Sequence, residues 1–233
     1  MQDNGLRPNS RRRFLGTVAT STAAFSLATL AAPLTAGAKN FSNNPLPADD
    51  PDQWFNQVKG KHRIVFDATG PHEIFPFAWP RVFLMTNAST GTPEKENSVV
   101  VILRHEAMPY ALEDKLWEKY KFGDMFKIQD PATKTASVRN PFWKPQPGTY
   151  KVPGIGNVSI GINELQESGV MFCVCNAAMT VYSAAIAEKS HQEAATVLKE
   201  FQSGVLPGIQ IVPSGVWAVG RAQEHGCAYC FVG

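Results

Sequence analysis

Gly169-Val170-Met171-Phe172-Cys173-Val174-Cys175-Asn176, continuing as Ala177-Ala178-Met179-Thr180-Val181-Tyr182, is the stretch on which the reading of this chain turns. Its first part is a short, continuous apolar run, the pattern of a strand buried on both faces of a parallel sheet. Its second part carries helix-forming Ala and Met, with apolar residues at helical spacing. Cys175-Asn176 therefore falls at a strand end and a helix start. That is the edge at which α/β sheets place their ligands. It is also where free backbone N–H groups and the helix dipole favour a thiolate. Cys175 is thus the candidate reactive group, and Asn176 a candidate contact to its substrate.

Outward from this junction the same alternation continues. Apolar runs at 62–67, 98–104, 208–212 and 227–232 predict four more strands. Helical spacing predicts helices over about 77–86, 110–120, 160–168, 177–188 and 191–202, and a last one opened by Pro213-Ser214-Gly215 and running to Glu224. Pro80 is placed near the first turn of its helix, and Ser214 is placed as a helix cap. Alternating strands and helices imply a parallel sheet covered on both faces. The expected fold is α/β with three layers and about five mainly parallel strands. Residues 121–156 carry Pro131, Pro141, Pro145, Pro147 and Pro153 together with Phe142, Trp143 and Tyr150. This is longer than an ordinary loop, and its aromatics predict that it packs on the domain or on a neighbouring subunit. The strand ends should gather Asp67, Thr69, His72, Arg104, His105, Glu106, Cys175, Asn176, Pro213 and Ser214 on one edge.

The N-terminus reads as an address rather than as fold. Ser10-Arg11-Arg12-Arg13-Phe14-Leu15-Gly16 matches the twin-arginine export pattern, a mild Ala/Thr-rich segment follows, and Ala36-Gly37-Ala38 offers a small-x-small cleavage site. The expected organisation is a signal peptide over 1–38, an extended arm over 39–60 with a helical turn near 52–58, and one domain over 61–233. The chain of 233 residues is 44% hydrophobic and 18% charged, ordinary for a globular protein. Removal of 1–38, with its four arginines and one aspartate, takes the formal charge from +2 to −1. The basic balance belongs to the signal, and nothing points to nucleic acid. After cleavage no stretch reaches membrane-spanning length. The expected location is periplasmic or otherwise exported, with the twin-arginine translocase as a partner during export.

Cys173, Cys175, Cys227 and Cys230 are the four cysteines. An exported protein meets an oxidising compartment, so structural disulfides between the two pairs stay open. So does a four-thiolate metal site. Cys173 and Cys175, two apart on a strand, are expected on one face. Cys227-x-x-Cys230 lies on a strand rather than at a helix start, unlike redox motifs of that spacing. His105 could act as acid or base beside Cys175, and Arg104 could hold an anionic sulfur substrate or make a structural ion pair. No glycine-rich dinucleotide fingerprint, phosphate loop or Gly-x-Ser-x-Gly elbow occurs, so no cofactor is called for.

The order of elements and three local words resemble the DsrE/DsrF-like family of sulfur-handling proteins. The words are residues 169–179, then Leu206-Pro207-Gly208-Ile209-Gln210-Ile211-Val212-Pro213-Ser214-Gly215-Val216, then Gln223-Glu224-His225-Gly226-Cys227-Ala228-Tyr229. The resemblance covers about 61–233 and is thinnest between 121 and 156. It implies a persulfide-carrying cysteine at the position of Cys175; the strand ends and helix starts themselves make His105 the candidate acid or base beside it and Asn176, Arg104 and Ser214 candidate contacts to the substrate. It also implies a homo-oligomer and, as partner, a small sulfur species or a thiol or persulfide protein. Cys173, Cys227 and Cys230 depart from the family pattern. The alternatives are a non-catalytic binding or oligomerisation module with structural disulfides, and a small cysteine-ligated metalloprotein.

Overall fold

The computed structural model describes residues 50–232. The predicted signal peptide and the first half of the predicted arm lie outside the described residues. Seven strands and eight α-helices follow in chain order: α1 Pro51–Trp54, β1 His62–Ala68, α2 Phe75–Ser89, β2 Asn97–Leu103, α3 Asp114–Tyr120, α4 Phe122–Met125, β3 Lys151–Val152, β4 Gly156–Asn157, α5 Ile162–Glu167, β5 Val170–Cys175, α6 Asn176–Ser190, α7 Ala194–Ser203, β6 Ile209–Val212, α8 Gly215–Glu224 and β7 Ala228–Val232. The fold is α/β. Five strands form one sheet in the order β6-β5-β2-β1-β7, and every pairing in it is parallel.

The strand sequences explain this order. Asn-Ser-Val-Val-Val-Ile-Leu of β2 is buried at all seven positions, as a central strand covered on both faces must be. Alternation along β5 sends Phe172 and Val174 into one core and Cys173 into the other. The first core lies under α2 to α7 and holds Phe77, Trp117, Phe122, Met179 and Phe201. The second is thinner and lies under α1 and α8, with Phe55, Val58, Ala218 and Ala222. Three layers result, as the alternation of elements implies.

Several local expectations shift. The predicted arm is folded from Asp50 onward: Phe55 is fully buried, meets Trp217 edge-on and stacks on His225. Residues 50–58 are therefore part of the domain, with the helical turn where the sequence put it. Helix α2 starts at Phe75, so Pro76 occupies its first turn and Pro80 lies inside the helix. The predicted helix over 110–120 is two pieces, a 3₁₀ stretch over His105–Ala111 and then α3. The break has a tertiary cause. The carbonyls of Tyr110 and Leu112 accept the Asn140 side-chain N–H groups at 2.8 and 3.0 Å, and Leu112 bridges to Val205. The predicted helix over 191–202 begins at Ala194, because His191 adopts a left-handed conformation and ends α6.

The proline-rich insertion packs on the domain. Phe142 stacks on Phe77 with ring centroids 4.0 Å apart and on Tyr150 at 4.9 Å. Its one regular piece after α4 is the β3–β4 hairpin, whose turn uses Gly154 at φ +80°. No helix among the described residues is long and apolar enough to cross a membrane.

Candidate functional site

Cys175 is the last residue of β5 and the N-cap of α6. Its Sγ accepts the Ala178 backbone N–H at 3.2 Å. The capping turn folds the thiol back over α6, so Cys175 joins the core opposite to that of Cys173. The expected common face is lost because the strand ends there. Cys175 is only 5% exposed, and the surface it does present lines an open pocket of about 290 Å³. The starts of α6 and α8 form two of its walls, through Ala177 and Ala178 on one side and Ser214, Gly215 and Val216 on the other. Arg104 and His105, which follow β2, close it with Val181 and Tyr182.

Arg104 is fixed from below. Its Nε and Nη2 donate to the two Asp67 carboxylate oxygens at 2.6 and 2.8 Å. Tyr229 Oη donates to Asp67 Oδ2 at 2.9 Å. Asp67 itself is buried. Asp67 is the next-to-last residue of β1, Arg104 follows β2 and Tyr229 lies on β7, so adjacent parallel strands bring the three together. The Asp67 bond is the main reason that Arg104 is held above its ordinary pKa. Partial desolvation opposes this, and attraction to the anionic forms of Asp67, Tyr229 and Cys175 adds to it. The Arg104 stem lies against Gly215: a Cβ there would stand 2.5 Å from Arg104 Cδ and 2.6 Å from its Cβ. Glycine at the first position of α8 is what lets the arginine pass. A second pocket of about 270 Å³ shares Arg104 and Val216 and extends to Asp67 and Tyr229.

The sequence-predicted residues are therefore only partly brought together. Cys175, His105, Arg104 and Ser214 line one pocket. His105 is exposed and sits at φ +51°, a left-handed conformation that is unfavourable for a residue with a Cβ. His72 and Glu73, after β1, share it. The His105 ring meets Tyr182 edge-on at 6.1 Å. Ser214 caps α8, its Oγ accepting the Trp217 N–H at 3.1 Å. Asn176 does not line the pocket. Its Oδ1 accepts the Gln202 amide N–H at 2.9 Å, which ties the start of α6 to α7. Sequence reasoning missed Val181, Tyr182, Val216 and Tyr229. The first two stand about two helical turns beyond Cys175, a spacing that does place them on the same face of α6.

All four cysteines are free. Strands β2 and β1 stand between β5 and β7. At about 4.8 Å per strand spacing, cysteines on β5 and β7 are roughly 14 Å apart, well beyond disulfide reach. The same distance separates the two halves of any four-thiolate site. Cys227 and Cys230 lie against opposite cores. Among the described residues no group of three or more His, Cys, Asp or Glu side chains is placed to hold a metal ion. Burial drives the Cys173 thiol well above its ordinary pKa and pushes Cys227 up to about 11.

No protein-family model matches the chain, and no curated protein matches it. Among solved structures the chain is similar to MTH1491, a protein of unknown function from Methanobacterium thermoautotrophicum, at 15% identity over 73% of this chain and 99% of that one, with a TM-score of 0.37.

Proposed function

We propose that this chain is an exported, DsrE/DsrF-like sulfur-handling protein in which Cys175 accepts sulfane sulfur as a persulfide. The observation that carries the reading is the Cys175 Sγ, capped by the Ala178 N–H at 3.2 Å inside a pocket that Arg104 also lines. A helix-start N–H and a nearby cation set positive charge against this sulfur. The thiolate attacks the outer sulfur of a donor persulfide. The donor S–S bond breaks, a new S–S bond forms at Cys175, and the electron pair leaves with the donor thiolate. His105, exposed at the pocket mouth, supplies or receives the proton. Arg104 faces the anionic sulfur, and Ser214 keeps the α8 start in place. The pocket suits a small sulfur species or the thiol of a partner protein, and the role is that of a carrier more than of a high-turnover enzyme.

Export through the twin-arginine route belongs to the same proposal and rests on Ser10-Arg11-Arg12-Arg13 and Ala36-Gly37-Ala38. A second reading has a specific observation behind it. Cys175 is nearly buried and serves as a helix cap, so the chain could be a binding module whose thiol is structural. Intact-mass analysis after exposure to a persulfide donor separates the two. The expected result is a gain of one sulfur atom, removed by reductant and missing in Cys175→Ser. A parent protein that takes up no sulfur, or takes up as much in Cys175→Ser, overturns the carrier reading.

A further inference from the structure

The two outer strands of the sheet are finished differently. At β6 the outer residues Ile209, Ile211 and Val212 are buried. At the other edge β7 leaves Tyr229 47% and Phe231 54% exposed. An outer strand presents a row of unpaired backbone N–H and C=O groups, which proteins normally blunt with Lys, Pro, an inward charge or a bulge. None of these devices is present in Ala228-Tyr229-Cys230-Phe231-Val232, and β7 pairs with β1 in unbroken register from Ala228 to Val232.

We infer that β7 is the docking surface for a second copy of this chain, paired antiparallel about a two-fold axis through Cys230. The strand is self-complementary about that residue. Ala228 falls opposite the partner's Val232, Tyr229 opposite the partner's Phe231, and Cys230 opposite the partner's Cys230. Aromatic pairs directly across an antiparallel ladder are stabilising, and the two-fold supplies this pair twice. The strand carries no charge, so pairing it with itself brings no like charges together. Val216, 70% exposed on α8, shares a pocket wall with Tyr229 and continues the apolar surface beside the strand. The result is one continuous sheet running through both copies, the strand-addition mode in which main-chain hydrogen bonds give affinity and alternate side chains give specificity. This interface stands whether or not Cys175 carries sulfur.

The purified chain tests it in two ways. Light scattering across micromolar concentrations should give twice the chain mass, and Phe231→Glu should weaken the association roughly tenfold or more, since it removes two symmetric aromatic pairs. Phe231 is 54% exposed, so the circular dichroism spectrum of the variant should match that of the parent, and its melting midpoint should lose the dependence on chain concentration that a dimer confers. Treatment with diamide should join the copies. The two Cys230 thiols give up their hydrogens, the diamide is reduced to the hydrazine, and an S–S bond forms. The linked dimer should disappear in Cys230→Ser, which keeps the doubled mass, and persist in Cys227→Ser. A monomer at all concentrations, an assembly indifferent to Phe231→Glu, or a cross-link that survives Cys230→Ser overturns the proposal.

Discussion

Cys173 and Cys175 are two residues apart on one strand, and the fold gives them opposite surroundings. Cys173 is fully buried among Val65, Val100, Ile102, Val212 and Ala218. Burial, and then the neighbouring Cys175 and Asp67 charges, keep it protonated. Cys175 stands where the strand stops. It gains the Ala178 N–H, a place beside Arg104 and a wall of the pocket. What decides whether a thiol is available for chemistry here is its position along the strand, and neither residue type nor distance in sequence would reveal it.

The same substitution at both positions puts this contrast under the greatest stress. Cys173→Asp places a carboxylate in an apolar layer with no partner, and the expected loss is about 4 kcal/mol or more, enough to abolish folding of a typical domain. Cys175→Asp puts a preferred capping residue at an N-cap beside an arginine, and stability should change by no more than about 1 kcal/mol. Denaturant melts of both variants check this. Equal damage at the two positions would break the distinction.

Next in size is the support under Arg104. Asp67→Ala removes both Arg104 acceptors and the Tyr229 acceptor. Breaking a buried pair in this way costs several kcal/mol when the remaining charge stays buried. Arg104 is 27% exposed along its side chain and can reach water, so the expected loss is about 2 kcal/mol. A loss near zero, read by urea unfolding, would mean that Arg104 is positioned by Gly215 and the strand end alone.

A third measurement uses pH to ask how dry the second core is. Folded Cys227 keeps its proton up to about pH 11, and the ordinary value for the unfolded thiol is 9.0. Its contribution to stability is therefore whole below about pH 9. It is lost as the pH rises toward 11, because unfolding then releases a proton. A shift of that size corresponds to about 3 kcal/mol in full, of which about 2 kcal/mol is lost by pH 11. Unfolding free energies of the parent and Cys227→Ala, compared at pH 8.5 and 11, should converge by about 2 kcal/mol. A constant difference would show that water reaches Cys227 in the folded state.

The fold was largely legible because its signals are local. Unbroken apolar runs mark β2 and β5, Pro213-Ser214-Gly215 marks the start of α8, and alternation alone implies parallel strands. What was not legible depends on contacts far apart in sequence. Nothing near Leu112 says that Asn140 will take the carbonyls of Tyr110 and Leu112 and split a helix. Nothing near Phe55 says that Trp217 will cover it. The site divides in the same way. Cys175, His105, Arg104 and Ser214 follow from reading strand ends and helix starts. The Asp67–Arg104–Tyr229 cluster exists because β7 lies next to β1, and strand order is a global property that no local pattern carries.

The smallest expected effect on stability is the most informative about chemistry. Ser is as good an N-cap as the residue it would replace, so Cys175→Ser should leave stability within about 1 kcal/mol. Its effect belongs on thiol labelling. In folded Phe231→Glu, which leaves the outer edge of β7 unpaired, a small alkylating reagent should reach Cys230, which is half-buried, and Cys175 through its pocket, while Cys173 and Cys227 wait for unfolding. The Cys175 sulfur has a helix-start N–H and a nearby cation against it, whereas Cys230 Sγ meets the Phe231 carbonyl. Cys175 should therefore label faster than Cys230 at neutral pH despite being more buried. Were Cys230 to react first and Cys175 only with Cys173, the pocket would be too shallow to matter and the thiol would be no more than a helix cap.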